Sequence, residues 1–237
     1  MKFPKLPLFL VGLFPLVSIA GRFPEAKPPG PPIKVTMPPK PTGIPAGKAL
    51  EALQRGNARY LSGGVTVRPW IQDQISVTGE QGQSPSIAIL SCSDSRVPSE
   101  LVFDMTVGEL FVARIAGNYH DDDIIGTFEY GVSKLGVHTV LVLGHTKCGG
   151  VTAALQNAEL HGSMSAFVRA IRPALEAAPG GVEAIKSTTE AAEINVRWQL
   201  AQILARSEIL AKAKEEGKLQ ILMGIYDVTT GVVRFIN

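Results

Sequence analysis

Residues 87–97 read IAILSCSDSRV, an apolar run that ends in a thiol, a carboxylate and a guanidinium at alternate positions. Residues 87–90, bounded by Pro85 and by the polar cluster, suit a strand buried on both faces of a parallel sheet. Cys92 then lies at the strand's carboxyl end, where open α/β sheets bind their ligands. A second segment has the same layout. Residues 138–143 (HTVLVL) lead into GHTKCGG, which places His145 and Cys148 just past another strand end. Cys92 and Cys148 are the chain's only cysteines.

Two thiolates and one imidazole make three ligands, and three protein ligands with a fourth position left open is the pattern of a catalytic zinc site, whereas structural zinc takes four. The i, i+3 spacing of His145 and Cys148 lets both aim at one ion, and Gly144, Gly149 and Gly150 allow close backbone approach. HxxC alone is a weak signal, since a single cysteine at a strand end is often a small buried hydrophobe. Two cysteines ending equivalent strands favour the metal. A Cys92–Cys148 disulfide in an oxidising compartment is the competing reading, and it leaves His145 unexplained. Asp94 and Arg96 stand two apart on a turn, where an arginine fork can grip a carboxylate bidentately. The pair is either a turn-stabilising ion pair or a carboxylate kept ionised beside a metal. In the second case Asp94 either accepts a hydrogen bond at the centre or fills the fourth coordination position.

CSDSRV at 92–97, RIAGN at 114–118 and HTKCGG at 145–150, in this order and at these separations, resemble the β-class carbonic anhydrases, a likeness that covers roughly residues 48–237. The resemblance implies an α/β fold with a mainly parallel central sheet flanked by helices and an N-terminal helical arm reaching toward a second subunit. It implies one zinc ion per subunit on Cys92, His145 and Cys148, with Asp94 and Arg96 as the catalytic dyad. Gln83, Phe111, Ala116, Tyr130 and Gly149 match positions at the substrate pocket. The implied activity is reversible hydration of carbon dioxide to bicarbonate by a homodimer or higher homo-oligomer. Some members of the family hold inhibitory bicarbonate with a tryptophan three residues before the first zinc cysteine and an arginine matching Arg114. Ile89 stands at that tryptophan position, which implies no such pocket and an Asp94 held off the metal by Arg96. Two alternatives keep the ligands: a hydrolase of carbonyl sulfide or carbon disulfide, and a non-catalytic zinc-binding protein.

The rest of the chain frames this domain. The 237 residues, 45% of them hydrophobic, suffice for one domain with a sizeable core plus a leader. Residues 1–20 read as a secretory signal: Lys2 and Lys5, then an uncharged run broken by Pro7 and Pro15, then Ser18-Ile19-Ala20 as a small-x-small cleavage site. That run is short of the ~20 residues a membrane span needs, so no stable span is expected after cleavage. Residues 21–46 carry prolines at 24, 28, 29, 31, 32, 38, 39, 41 and 45 and read as an extended tether; residues 47–237 form the enzyme domain. The expected location is exported, to a periplasm, with a lumen or the exterior as alternatives. Cleavage removes two of 23 basic residues and none of 21 acidic ones, leaving 21 of each. Such a balance leaves no footprint for nucleic acid.

Helical patterns span 47–61 (with Gly56 as a weak point), 98–105, 123–135 behind an Asp-rich start, 151–158, 163–177 and 182–216 as one long helix. Further strands are expected at 110–115, 219–226 and 232–236, the last at a sheet edge. His120, in the loop NYHDDD, titrates near neutrality when unperturbed and can relay protons there; a solvated loop histidine is the plainer reading.

Overall fold

The apolar runs become strands of one sheet in the computed structural model, which describes residues 43–64 and 66–237. The leader and almost all of the tether lie outside the described residues. The strands are β1 (Ile87–Ser91), β2 (Leu110–Arg114), β3 (Thr139–His145), β4 (Gln220–Tyr226) and β5 (Val233–Ile236), in the order β2-β1-β3-β4-β5. The first four are parallel, and β5 runs antiparallel on β4. β1 and β3 are buried at every position, as a parallel sheet covered on both faces requires. Strand alternation then divides the core. Ala88, Leu90, Val140 and Val142 meet helix residues such as Phe128, Val151, Ile171 and Val196, while Ile87, Ile89, Leu141 and Leu143 pack with Leu53, Val102 and Phe103. Each fully buried side chain of this size contributes roughly 1.5–3 kcal/mol.

The helices are α1 (Ala49–Leu61), α2 (Ile71–Gln81), α3 (Ser99–Val102), α4 (Asp122–Tyr130), α5 (Gly149–Leu155), α6 (Ser165–Glu176), α7 (Thr188–Arg206) and α8 (Glu208–Glu215). α4 is capped by Asp121, whose carboxylate accepts from Ile124 N, and it runs on into one π-helical turn that ends at the left-handed Gly136. α1 lies on its own sheet. Its Asn57 donates to the Val102 and Gly231 carbonyls and accepts from Val233 N, tying the helix to α3 and β5. A Cβ at Gly56 would stand 1.9 Å from the Phe103 carbonyl oxygen, so this glycine, which looks like a flaw in the helical pattern, is what lets α1 approach.

Three expectations need correction. α2 has no counterpart among the expected helices, because Gln74 is its one buried residue and no apolar stripe marks it; Gln74 instead anchors it by donating to the Val107 carbonyl. The single helix expected over 182–216 is a short 3₁₀ turn followed by α7 and α8. Ser207 turns extended between the two helices and caps α8 through its hydroxyl. His145 is the last residue of β3, paired with Tyr226, rather than a loop residue beyond it.

Asp104 closes the turn after α3 with no side-chain exposure, gripped by Arg59, Arg68 and Thr66. Burial pushes its carboxyl up, but the hydrogen bonds from Thr66, Arg59 and Arg68 prevail and hold it below the usual carboxylate range. A depressed folded value contributes stability that is fully present above the unfolded value of about 3.9 and is lost as pH falls below it. Denaturant titrations from pH 7 to pH 2.5 should therefore show a loss of stability below about pH 4 that is shallower in Asp104→Asn, which starts less stable at pH 7; identical pH profiles would contradict this.

Candidate metal centre

Cys92 directly follows β1 and His145 ends β3, and these are neighbouring strands whose parallel register ends with Ser91 opposite Leu143. The chain reaches β2 on one side of β1 and β3 on the other, so the crevice at their carboxyl ends is a topological switch point. Cys148 arrives three residues later, at the N-cap of α5. Lys147, at φ +55, makes the turn between His145 and Cys148. The Sγ atoms of Cys92 and Cys148 and a ring nitrogen of His145 lie within 4.8 Å of one another, all buried. The two thiols are unbonded to each other.

The histidine tautomer follows from its partner. His145 Nδ1 lies 2.9 Å from the Thr146 carbonyl oxygen, which can only accept, so Nδ1 carries the proton and Nε2 presents its lone pair. That Nε2 is buried and has no hydrogen-bond partner. An orphaned acceptor enclosed with two thiols is costly in a protein interior unless something binds it. Zinc fits this donor set.

The thiols polarise each other. The neighbouring Cys148 lowers the Cys92 thiol against the opposing effect of burial; His145 and the amides of Gly117 and Asp94 lower it further. The same contact, with burial, pushes the Cys148 thiol up. The Gly117 and Asp94 amides lie 3.2 and 3.4 Å from Cys92 Sγ. Gly117 stands against Gly150, where an added Cβ would come within 3.3 Å of the Gly117 backbone, so the RIAGN and HTKCGG loops meet through two glycines.

Asp94 is clamped by Arg96. Its Oδ1 accepts from Arg96 N and Nε at 3.0 and 2.9 Å, and its Oδ2 accepts from Arg96 Nη2 at 2.7 Å. These bonds hold the Asp94 carboxyl well below the usual carboxylate range. Oδ2 is 4.0 Å from His145 Nε2, so the carboxylate stands at the centre's edge. Arg114 spends its guanidinium on the main chain, donating to the Cys92 and Asp94 carbonyls at 3.0 and 2.7 Å. Ile89 is fully enclosed in the core.

The remaining predicted pocket residues divide. Ala116 and Gly149 adjoin the centre, beside Gly117 and Cys148 respectively. Gln83 and Tyr130 instead line a cleft of about 530 Å³ with Ile75, Thr78, Val107 and Leu135, none of them a metal-centre residue. Phe111 packs on Tyr130 with ring centroids 6.4 Å apart. His120 is half-buried and anchored to Gln199, not a freely solvated loop residue. Sequence reasoning missed Arg114 as a loop brace and Gly117 as a sulfur donor. It also passed over Asn195 and Gln199, whose signal is two amides at i, i+4 within a stripe of Ala, Val, Leu and Ile.

The sequence profile described as carbonic anhydrase matches residues 87–233. Carbonic anhydrase 2 of Mycobacterium tuberculosis is 33% identical over 189 residues, covering 77% of this chain and 89% of the relative. A carbonic anhydrase of Mycolicibacterium smegmatis is 34% identical, covering 78% and 90%. Among solved structures, the β-carbonic anhydrase CafA of Aspergillus fumigatus superposes with a TM-score of 0.65 at 28% identity, over 79% of this chain and 90% of that one. With the ligand triad, the strand order and these relatives in agreement, the chain belongs to the β class of the carbonic anhydrase family.

Proposed function

We propose that this protein hydrates carbon dioxide reversibly to bicarbonate and a proton, with one zinc ion per subunit held by Cys92, His145 and Cys148. The observation that carries this reading is the unpartnered, buried His145 Nε2 enclosed with two thiols beside an arginine-clamped carboxylate. Zinc bound there supplies the Lewis acidity that brings the pKa of water down to about 7, a value established for zinc enzymes with three histidine ligands and borrowed here. As thiolates, Cys92 and Cys148 offset the ion's double charge, so the centre accommodates a neutral gas and releases an anion without strong trapping. Asp94, ionised and fixed by Arg96, accepts a hydrogen bond from the attacking water and aims its lone pair at the substrate carbon. Arg96 holds that carboxylate in place, and Arg114 braces the backbone beneath it. The Gly149 amide and the Gln83 side chain offer hydrogen bonds to a substrate oxygen. Ala116, Phe111 and Tyr130 shape the apolar approach.

This reading calls for a homo-oligomer, because Gln83 and Tyr130, on which Phe111 packs, line a cleft apart from their own subunit's centre. β2 is an edge strand with partly buried Leu110, Phe111 and Val112, and Ile75, Val107 and Tyr130 are about half exposed beside it, which supports pairing of two copies on this face. Residues 1–20 support export to a periplasm. No residue favours a carbonyl sulfide or carbon disulfide hydrolase, and a purely structural zinc site would leave the Asp94–Arg96 clamp without a role.

Stopped-flow hydration assays on the purified protein should show turnover at one zinc per chain, with Asp94→Asn retaining zinc but losing about 10²–10⁴-fold in kcat. Full zinc occupancy with no hydration would reject the assignment. Analytical ultracentrifugation should find a dimer or larger assembly, and Gln83→Ala should lower kcat/KM at full zinc content; a fully active monomer would refute the shared cleft. Expressed in a bacterium with a periplasm, the protein should be recovered from that compartment with an intact mass lacking residues 1–20, and an uncleaved cytoplasmic product would exclude export.

A further inference from the structure

Asn195 and Gln199 have no part in the mechanism above, yet both are fully enclosed on α7 among Ala191, Ala192, Val196 and Ile203. A buried amide is unfavourable on an apolar face unless its hydrogen bonds are met. These are met by one continuous chain. Asn195 Nδ2 donates to the Gly117 carbonyl at 3.0 Å. Gln199 Nε2 donates to Asn195 Oδ1 at 2.8 Å and to the Ala170 carbonyl at 3.3 Å. Gln199 Oε1 accepts from His120 N at 3.0 Å and lies 2.5 Å from His120 Nδ1. At the other end of this chain, Gly117 N donates to Cys92 Sγ at 3.2 Å. Gly117 has φ +82, and a Cβ there would fall 2.5 Å from Ile171 Cδ1, so the residue that must present its amide to the sulfur has no side chain to steady it.

We infer that Asn195 and Gln199 are positioning residues for the metal centre: they grip the 117–120 loop at both ends and so keep the Gly117 amide on the Cys92 sulfur. A hydrogen bond to a thiolate draws charge from the sulfur, which leaves a metal on that sulfur the stronger Lewis acid. Loosening the grip returns charge to the sulfur and weakens that acidity.

The inference rests on the Cys92–His145–Cys148 zinc reading, and the test separates the two. Full-length protein and its Asn195→Leu variant would be loaded with cobalt(II), their sulfur-to-cobalt charge-transfer bands recorded, and zinc affinity measured by competition with a chelator. The expected result is a displaced band, a 10–100-fold loss of zinc affinity, as outer-shell substitutions give, and a pH profile of kcat moved toward alkaline values. A lower melting temperature with band, affinity and pH profile unmoved would overturn the inference and leave the pair as fold stabilisers. Should Asn195→Leu fail to fold, Gln199→Met decides: a smaller shift in the same direction supports the chain, and an unmoved band and affinity refute it. A parent protein that takes up no metal would bring down the zinc reading and this one together, whereas normal uptake with silent variants brings down this one alone.

Discussion

The structure depends on β1 and β3 lying side by side in parallel register. Cys92 and His145 are more than fifty residues apart, and only this pairing brings their side chains to one crevice. Both strands must be buried on two faces for the pairing to hold, which is why IAIL and VLVL carry no polar residue. Gly144, just before the histidine, marks how closely the layers are fitted: a Cβ there would stand 2.6 Å from Val196 on α7. The helix that presses on the sheet at that glycine also carries Asn195. Packing and site geometry are therefore set by one contact.

Charge completes what the strands begin. The amides of Gly117 and Asp94 lie against the Cys92 sulfur and favour its anionic form in a buried setting. Asp94 is fixed at the edge of the centre by its three bonds to Arg96, and the loop carrying it is tied down by Arg114. Two arginines thus serve one carboxylate in different ways, one through its side chain and one through its backbone.

The ligand triad, the clamp and all five strands were legible because each rests on a local pattern: an apolar run, a turn spacing, a pair of cysteines ending equivalent strands. What escaped was set by tertiary contacts. α2 is held by the single amide of Gln74, which no periodicity announces. The break at Ser207 needs the hydroxyl's local capping to outweigh an otherwise continuous helical pattern. Gly56 reads as a weakness until the Phe103 carbonyl is seen against it. The pocket residues were legible only as likenesses to a family, and Gln83 and Tyr130 lie in a different cleft from the centre they were expected to serve.

The edge position of β2 has a consequence for the newly made chain. A parallel strand with free main-chain donors and acceptors and apolar side chains is a template for any other extended segment. Left uncovered, such an edge opens the newly folded chain to misassociation. Shielding of that one edge thus bears on solubility as much as on fold.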